Sequence, residues 1–107
     1  MAQIDSDVID RVKEFLRKLT EHGIYVESAY LFGSCASKSS SIWSDIDVAV
    51  ISPDFSHDRL EERIRLMKLS AEIDCRIEPV PFHTNDFLDE DPLVGEIKKS
   101  GISLSSE

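Results

Sequence analysis

The first part of the chain has the residue spacing of an amphipathic helix. Ser6 or Asp7 can cap its start, and Gly23 stands where helices commonly end. Apolar residues recur at steps of three and four positions and form one stripe, made by Val8, Val12, Phe15, Leu16 and Leu19. This stripe predicts a helix that covers one face of a β-sheet.

Two apolar runs that follow predict β-strands. Residues 24–32 are rich in β-branched and aromatic side chains and end at Gly33. Residues 45–52 form a second run, which ends at Pro53. Between the two runs, residues 35–43 are small and polar, which is typical of a loop. We therefore predict two strands joined by this loop.

A second helix is predicted after a turn at residues 54–57. Its apolar residues again recur at helical spacing, so that one stripe is expected to face the sheet. The residues expected on that stripe are Leu60, Ile64, Met67 and Ala71, with Leu66, Leu69 and Ile73 widening it.

The C-terminal third is predicted to begin with a strand at residues 76–82, which contains Pro79 and Pro81. Because proline is poorly tolerated inside a central strand, we expect an edge strand or a strand that ends early. The elements expected after it are an acidic loop at residues 84–92, a short helix at 93–99 and a last short strand at 102–104.

Length, composition and charge indicate a single globular domain and argue against some classes of partner. The 107 residues suit one domain, and 41% hydrophobic with 31% charged residues is ordinary for a soluble globular protein. The formal net charge of −9 argues against sequence-independent binding of DNA or RNA, which needs clustered Lys and Arg. No apolar stretch has the length of a transmembrane helix, and the N-terminus lacks the features of a signal peptide. We therefore expect a cytoplasmic protein with no nucleic-acid or membrane partner.

The candidate chemistry lies at the two ends of the loop between the predicted strands. A Gly-Ser pair stands at 33–34, and Asp45 and Asp47 open the second strand. Because side chains alternate faces along a strand, the two carboxylates should point the same way, with Cα atoms about 6.5 Å apart. Two carboxylates beside a glycine turn suit one or two hard divalent cations that hold a phosphate.

These motifs together resemble the nucleotidyltransferase superfamily related to DNA polymerase β. The motifs are Leu-Phe-Gly-Ser at 31–34 and Ser-Asp-Ile-Asp followed by an apolar strand at 44–50. The chain is most similar to the minimal nucleotidyltransferases, small proteins often paired with a HEPN partner as antitoxins. The resemblance covers nearly the whole chain. It implies a single domain over residues 1–107 with an α/β fold, in which a small mixed β-sheet has helices packed mainly on one face.

The resemblance also implies roles for the motif residues. The backbone amides of Gly33 and Ser34 would cradle the terminal phosphates of a nucleoside triphosphate. Asp45 and Asp47 would hold two Mg²⁺ ions. Ser44 belongs to the same motif and is expected to support the turn into the strand.

The family uses a third carboxylate on a neighbouring strand, and here the sequence departs from the usual pattern. Glu78 has the expected apolar flanks but stands where the family has aspartate. Asp74 is the competing candidate, and we favour Glu78. In the loop, the family often has arginine after the Gly-Ser pair and a second glycine four residues beyond the serine. This chain has Cys35, Ser37 and Lys38 at the corresponding places, and Lys38 is expected to supply positive charge to the triphosphate.

The resemblance implies an Mg²⁺-dependent nucleotidyltransferase. It would transfer a nucleoside monophosphate, with AMP from ATP as the expected case, to an acceptor hydroxyl. The acceptor would be a HEPN toxin, with this chain as its antitoxin. The changed loop and the glutamate at the third position leave one alternative open, a nucleotide- or partner-binding module that has lost catalysis.

Overall fold

The computed structural model describes residues 6–33, 45–56 and 58–104. The predicted Ser34, Lys38 and Ser44 lie outside these residues. The described helices are α1 (Ser6–Glu21), α2 (Arg59–Ala71) and α3 (Pro92–Ser100), with a short 3-10 helix at Thr84–Asp86. The strands are β1 (Ser28–Phe32), β2 (Ile46–Ser52), β3 (Ile77–His83) and β4 (Ile102–Ser103). No helix of this described part is long and apolar enough to cross a membrane.

The strands form one mixed sheet in the order β3-β2-β1-β4. Strand β1 runs antiparallel to both β2 and β4, whereas β2 and β3 run parallel. Because parallel strands need a crossover connection, α2 lies between β2 and β3 along the chain. The predicted α/β fold with a small mixed sheet is confirmed.

Helices cover the two faces of the sheet unequally. Both α1 and α2 pack on one face, where apolar side chains such as Phe15 and Leu66 meet Leu31 and Val48. Helix α3 packs on the opposite face, where Val94 and Ile97 join a smaller cluster with Ala49, Ile51 and Phe82. Helices therefore lie mainly on one face, as predicted, and the face that carries α3 is the more open one.

Strand β1 is shorter than predicted. It begins at Ser28 instead of residue 24. Ile24 and Val26 are nevertheless buried, which explains why the apolar pattern extends further than the strand. Ile24 and Val26 thus contribute to the core without belonging to the strand.

Strand β3 lies at the edge of the sheet, as its prolines predict. It continues to His83, so the alternative of a strand that ends early is wrong. The carbonyl oxygen of Arg76 accepts a hydrogen bond from the Ile46 amide on β2. Backbone groups alternate in direction along a parallel strand, so Pro79 and Pro81 turn their nitrogens to the open edge. Both prolines are therefore accommodated without the loss of a ladder hydrogen bond.

The predicted buried stripe of α2 is wrong for its four main residues, whereas Leu66, Leu69 and Ile73, predicted to widen it, pack in or against the core. Leu60, Ile64 and Met67 are 70%, 48% and 42% exposed, and Ala71 is also exposed. The buried residues of this helix are Glu62, Leu66 and Ser70, with Leu69 partly buried.

Two polar residues cause this difference by lying on the inner side of α2. The Glu62 carboxylate is buried because its Oε2 accepts a hydrogen bond of 2.8 Å from the Ser56 amide in the preceding turn. The Ser70 hydroxyl donates to the Met67 carbonyl oxygen. Glu62 Oε2 and the Ser70 hydroxyl are thus satisfied locally. Among the described residues, Glu62 Oε1 is buried without a hydrogen bond, and Arg65 Nη1 lies 3.5 Å from it. A pattern based on apolar residues alone assigns these positions to the solvent side.

Candidate active site

Asp47 and Glu78 are neighbours across the parallel strands β2 and β3. Their Cα atoms are direct partners in the sheet register. Ile46 and Val48, on either side of Asp47, belong to the core beneath α1 and α2. Because side chains alternate between faces, Asp47 and Glu78 point to the opposite face, the one that carries α3. The fold thus places two of the predicted carboxylates side by side on the more open face.

Asp45 lies one residue before the start of β2 and is exposed. Partial burial raises the pKa of the Asp47 carboxyl, and the negative charges of Asp45 and Glu78 raise it further. Asp47 therefore interacts electrostatically with both of the other predicted carboxylates.

Gly33, at the end of β1, is packed against the Asp47 side chain. Its φ is +75°, a left-handed conformation that glycine adopts without strain. A Cβ atom at this position would collide with Asp47 Oδ2 and lie 3.1 Å from its Cγ. The glycine of the motif thus allows the backbone to lie directly beside the carboxylate.

Asp74, the alternative third carboxylate, is engaged elsewhere. Its carboxylate accepts hydrogen bonds from the backbone amide and the guanidinium of Arg76, the shortest at 2.7 Å. The hydrogen bond from the Arg76 side chain holds the pKa of Asp74 below its usual value. Asp74 therefore supports the turn between α2 and β3. These positions support Glu78 as the third carboxylate.

Arg63 is the site residue that sequence reasoning missed. Its Nη2 lies 3.2 Å from Glu78 Oε1, and its positive charge lowers the pKa of Asp47 against the effects that raise it. One turn earlier, the Arg59 guanidinium lies 4.7 Å from the centre of the Phe82 ring. Both arginines reach strand β3, and their spacing of four residues on α2 is the signal that could have suggested a common direction.

Whether this site can hold a metal ion depends on which side-chain atoms are available as ligands. Carboxylate oxygens are the ligands that Mg²⁺ prefers, and Asp45 with Asp47 supplies two of them. Within the described ranges, no group of three His, Cys, Asp or Glu residues is arranged to hold a metal ion. Glu78, the third candidate ligand, is paired with Arg63. The chemistry of these two donors fits a divalent cation at Asp45 and Asp47.

The comparisons with known proteins identify the family and support the fold. Residues 9–104 match the nucleotidyltransferase domain family, so the chain belongs to that family. Membership implies a transferase that acts on a nucleoside triphosphate, and domains of this kind generally use a divalent metal. No curated protein matches the chain in sequence.

One similar solved structure is that of a candidate nucleotidyltransferase from Sulfolobus solfataricus. The TM-score is 0.66 at 16% sequence identity, over 94% of this chain and 82% of the other. At this identity the similarity concerns the fold, and it agrees with the mixed sheet and helices described above.

The contact between Gly33 and Asp47 can be tested with a matched pair of glycine substitutions. Gly33→Ala and Gly23→Ala both place alanine at positive φ, at a cost of about 1–2 kcal/mol each. Gly23 has open space around it, whereas alanine at position 33 collides with Asp47. We expect urea denaturation to show a larger loss of stability for Gly33→Ala, and the excess should disappear in an Asp47→Ala background. Equal losses for the two variants would contradict the contact.

The structural role of Asp74 predicts a pH-dependent loss of stability. The folded-state pKa of Asp74 is lowered, so its charged form stabilises the fold above the unfolded-state pKa of about 4. This contribution is lost as the pH falls through the folded-state pKa. Asp74→Asn should therefore lower the urea midpoint at pH 7, and its difference from wild type should narrow below about pH 4. A difference that does not change with pH would contradict the assignment.

Proposed function

We propose that the chain is an Mg²⁺-dependent nucleotidyltransferase that transfers a nucleoside monophosphate, AMP from ATP in the first instance, to an acceptor hydroxyl. The observation that carries the proposal is the placement of Asp47 between Gly33 and Glu78. This arrangement lies on the open face of the sheet in a chain of the nucleotidyltransferase domain family. The activity is proposed for one domain over residues 1–107.

The residues have distinct parts in this reaction. Asp45 and Asp47 hold the divalent cations, which neutralise the triphosphate and lower the pKa of the acceptor hydroxyl when bound. The backbone at Gly33 and Ser34 holds the phosphates, Lys38 adds positive charge, and Ser44 supports the turn into β2. The role of Gly33 rests on its position beside Asp47, and the other loop roles rest on the family motif.

Glu78 completes the proposed site as ligand and proton acceptor. The acceptor oxygen attacks the α-phosphorus in line, the bond to the bridging oxygen breaks, and pyrophosphate leaves. The hydroxyl proton passes to the Glu78 carboxylate. Its place beside Asp47 supports this role.

The proposed acceptor is a HEPN-domain toxin, with this chain as its cytoplasmic antitoxin. The support is the resemblance to minimal nucleotidyltransferases and the exposed apolar residues of α2. Leu60, Ile64 and Met67 recur at helical spacing and face solvent. Apolar residues grouped in this way are typical of surfaces that contact other proteins.

A binding module without catalysis is the second candidate function. The pairing of Glu78 with Arg63 favours it, because the third carboxylate is then engaged by an internal cation. Such a module would bind a nucleoside triphosphate without releasing pyrophosphate.

Removal of the two motif carboxylates tests the proposed transferase activity. Asp45→Asn combined with Asp47→Asn should abolish pyrophosphate release and the incorporation of label from α-labelled ATP into HEPN-domain proteins. The reason is that neutral side chains hold a divalent cation poorly. Circular dichroism should show an unchanged fold.

The matched control removes the same charge at distant exposed positions, by Asp10→Asn with Asp89→Asn. This control should retain transfer. Transfer that persists in the Asp45→Asn, Asp47→Asn variant would overturn the proposed function, and binding without transfer in wild type would favour the second candidate.

A further inference from the structure

Arg63 approaches the candidate site from an element that the family motif does not include. It lies on α2, which packs on the face of the sheet opposite to the carboxylates. Its side chain nevertheless reaches Glu78, with Nη2 at 3.2 Å from Oε1. Since β3 is the edge strand, the guanidinium passes the open edge of the sheet to make this contact.

The contact between Arg63 and Glu78 matters because of the charges that surround it. Asp45 and Glu78 both act electrostatically on Asp47, and Arg63 acts on Asp47 as well as on Glu78. Among the residues at positions 34–44 of the sequence, Lys38 is the one with a basic side chain. Arg63 is therefore a second cation for a site that will bind both a divalent metal and a polyphosphate.

We propose that Arg63 is an exchangeable counter-charge: it is paired with Glu78 in the metal-free protein, a divalent cation displaces it from Glu78, and the released guanidinium contacts the phosphates of the nucleoside triphosphate. This inference rests on the proposed function, because it needs the metal and the nucleotide to occupy the same site. It assigns to α2 a direct part in substrate binding.

The exchange of Arg63 from Glu78 to a phosphate costs little free energy. Ion pairs between partly exposed side chains contribute little stability, so release of Arg63 from Glu78 costs little. A guanidinium forms paired hydrogen bonds with phosphate oxygens as readily as with a carboxylate. The start of the helix that carries Arg63 is fixed by Asp58, which accepts a hydrogen bond from the Glu61 amide.

Arg63→Gln tests the proposal through two binding measurements with opposite expected signs. Mn²⁺ titration without nucleotide, followed by electron paramagnetic resonance, should show binding about three- to fivefold tighter than wild type, because the competing cation is gone. Calorimetry with a non-hydrolysable ATP analogue in saturating Mg²⁺ should show binding about five- to tenfold weaker, because a phosphate contact is lost. Circular dichroism confirms that the variant is folded.

Arg65→Gln is the matched control. Arg65 lies on the same helix, is exposed to the same extent as Arg63 (50% against 48% of the side chain), and pairs with Glu62 instead of Glu78. Both affinities should stay within about twofold of wild type, since distant exposed charges are screened by salt. In a Glu78→Gln background, the gain in Mn²⁺ affinity from Arg63→Gln should disappear.

The outcomes separate this inference from the proposed function. If wild type binds Mn²⁺ and the Arg63→Gln variant binds it with the same affinity, the exchange is overturned and the proposed function stands. A variant that loses both affinities also overturns it, since a structural role for Arg63 then explains the result. The Asp47→Asn variant is expected to bind neither Mn²⁺ nor the ATP analogue. If wild type also binds neither, the proposed function and the exchange are overturned together.

Discussion

The contact between Gly33 and the Asp47 carboxylate is the constraint on which the candidate site depends. It joins the end of β1 to the start of β2. Because the φ of Gly33 is positive, any residue with a side chain at this position would be strained. The antiparallel pairing of β1 with β2 places Asp47 at this end of the hairpin. The parallel pairing of β2 with β3 then places Glu78 beside it. Two kinds of strand pairing thus meet at one carboxylate.

The same position explains the electrostatic character of the site. Partial burial against the end of the sheet and the charges of Asp45 and Glu78 raise the pKa of Asp47, which is the expected consequence of like charges held together. A site of this kind stores unfavourable interactions that a bound cation relieves. Arg63 supplies one positive charge to this group of carboxylates from helix α2.

Much of this arrangement could be predicted from sequence because its signals are local. The element order, the edge position of the proline-containing strand and the carboxylates of the motif follow from short patterns. The orientation of α2 could not be predicted, since burial of Glu62 and Ser70 depends on hydrogen bonds that apolar periodicity does not register. Arg63 was missed for a related reason: its contact with Glu78 spans the edge of the sheet and depends on that orientation.

The most direct test of the central claim is calorimetry with a non-hydrolysable ATP analogue, with and without Mg²⁺, on wild type and on Asp47→Ala. We predict binding that requires Mg²⁺ and is lost in the variant, because Asp47 is one of the carboxylates proposed to hold the metal. Binding that is equally strong without Mg²⁺ or in Asp47→Ala would contradict it. Absence of binding to any nucleoside triphosphate would contradict it as well.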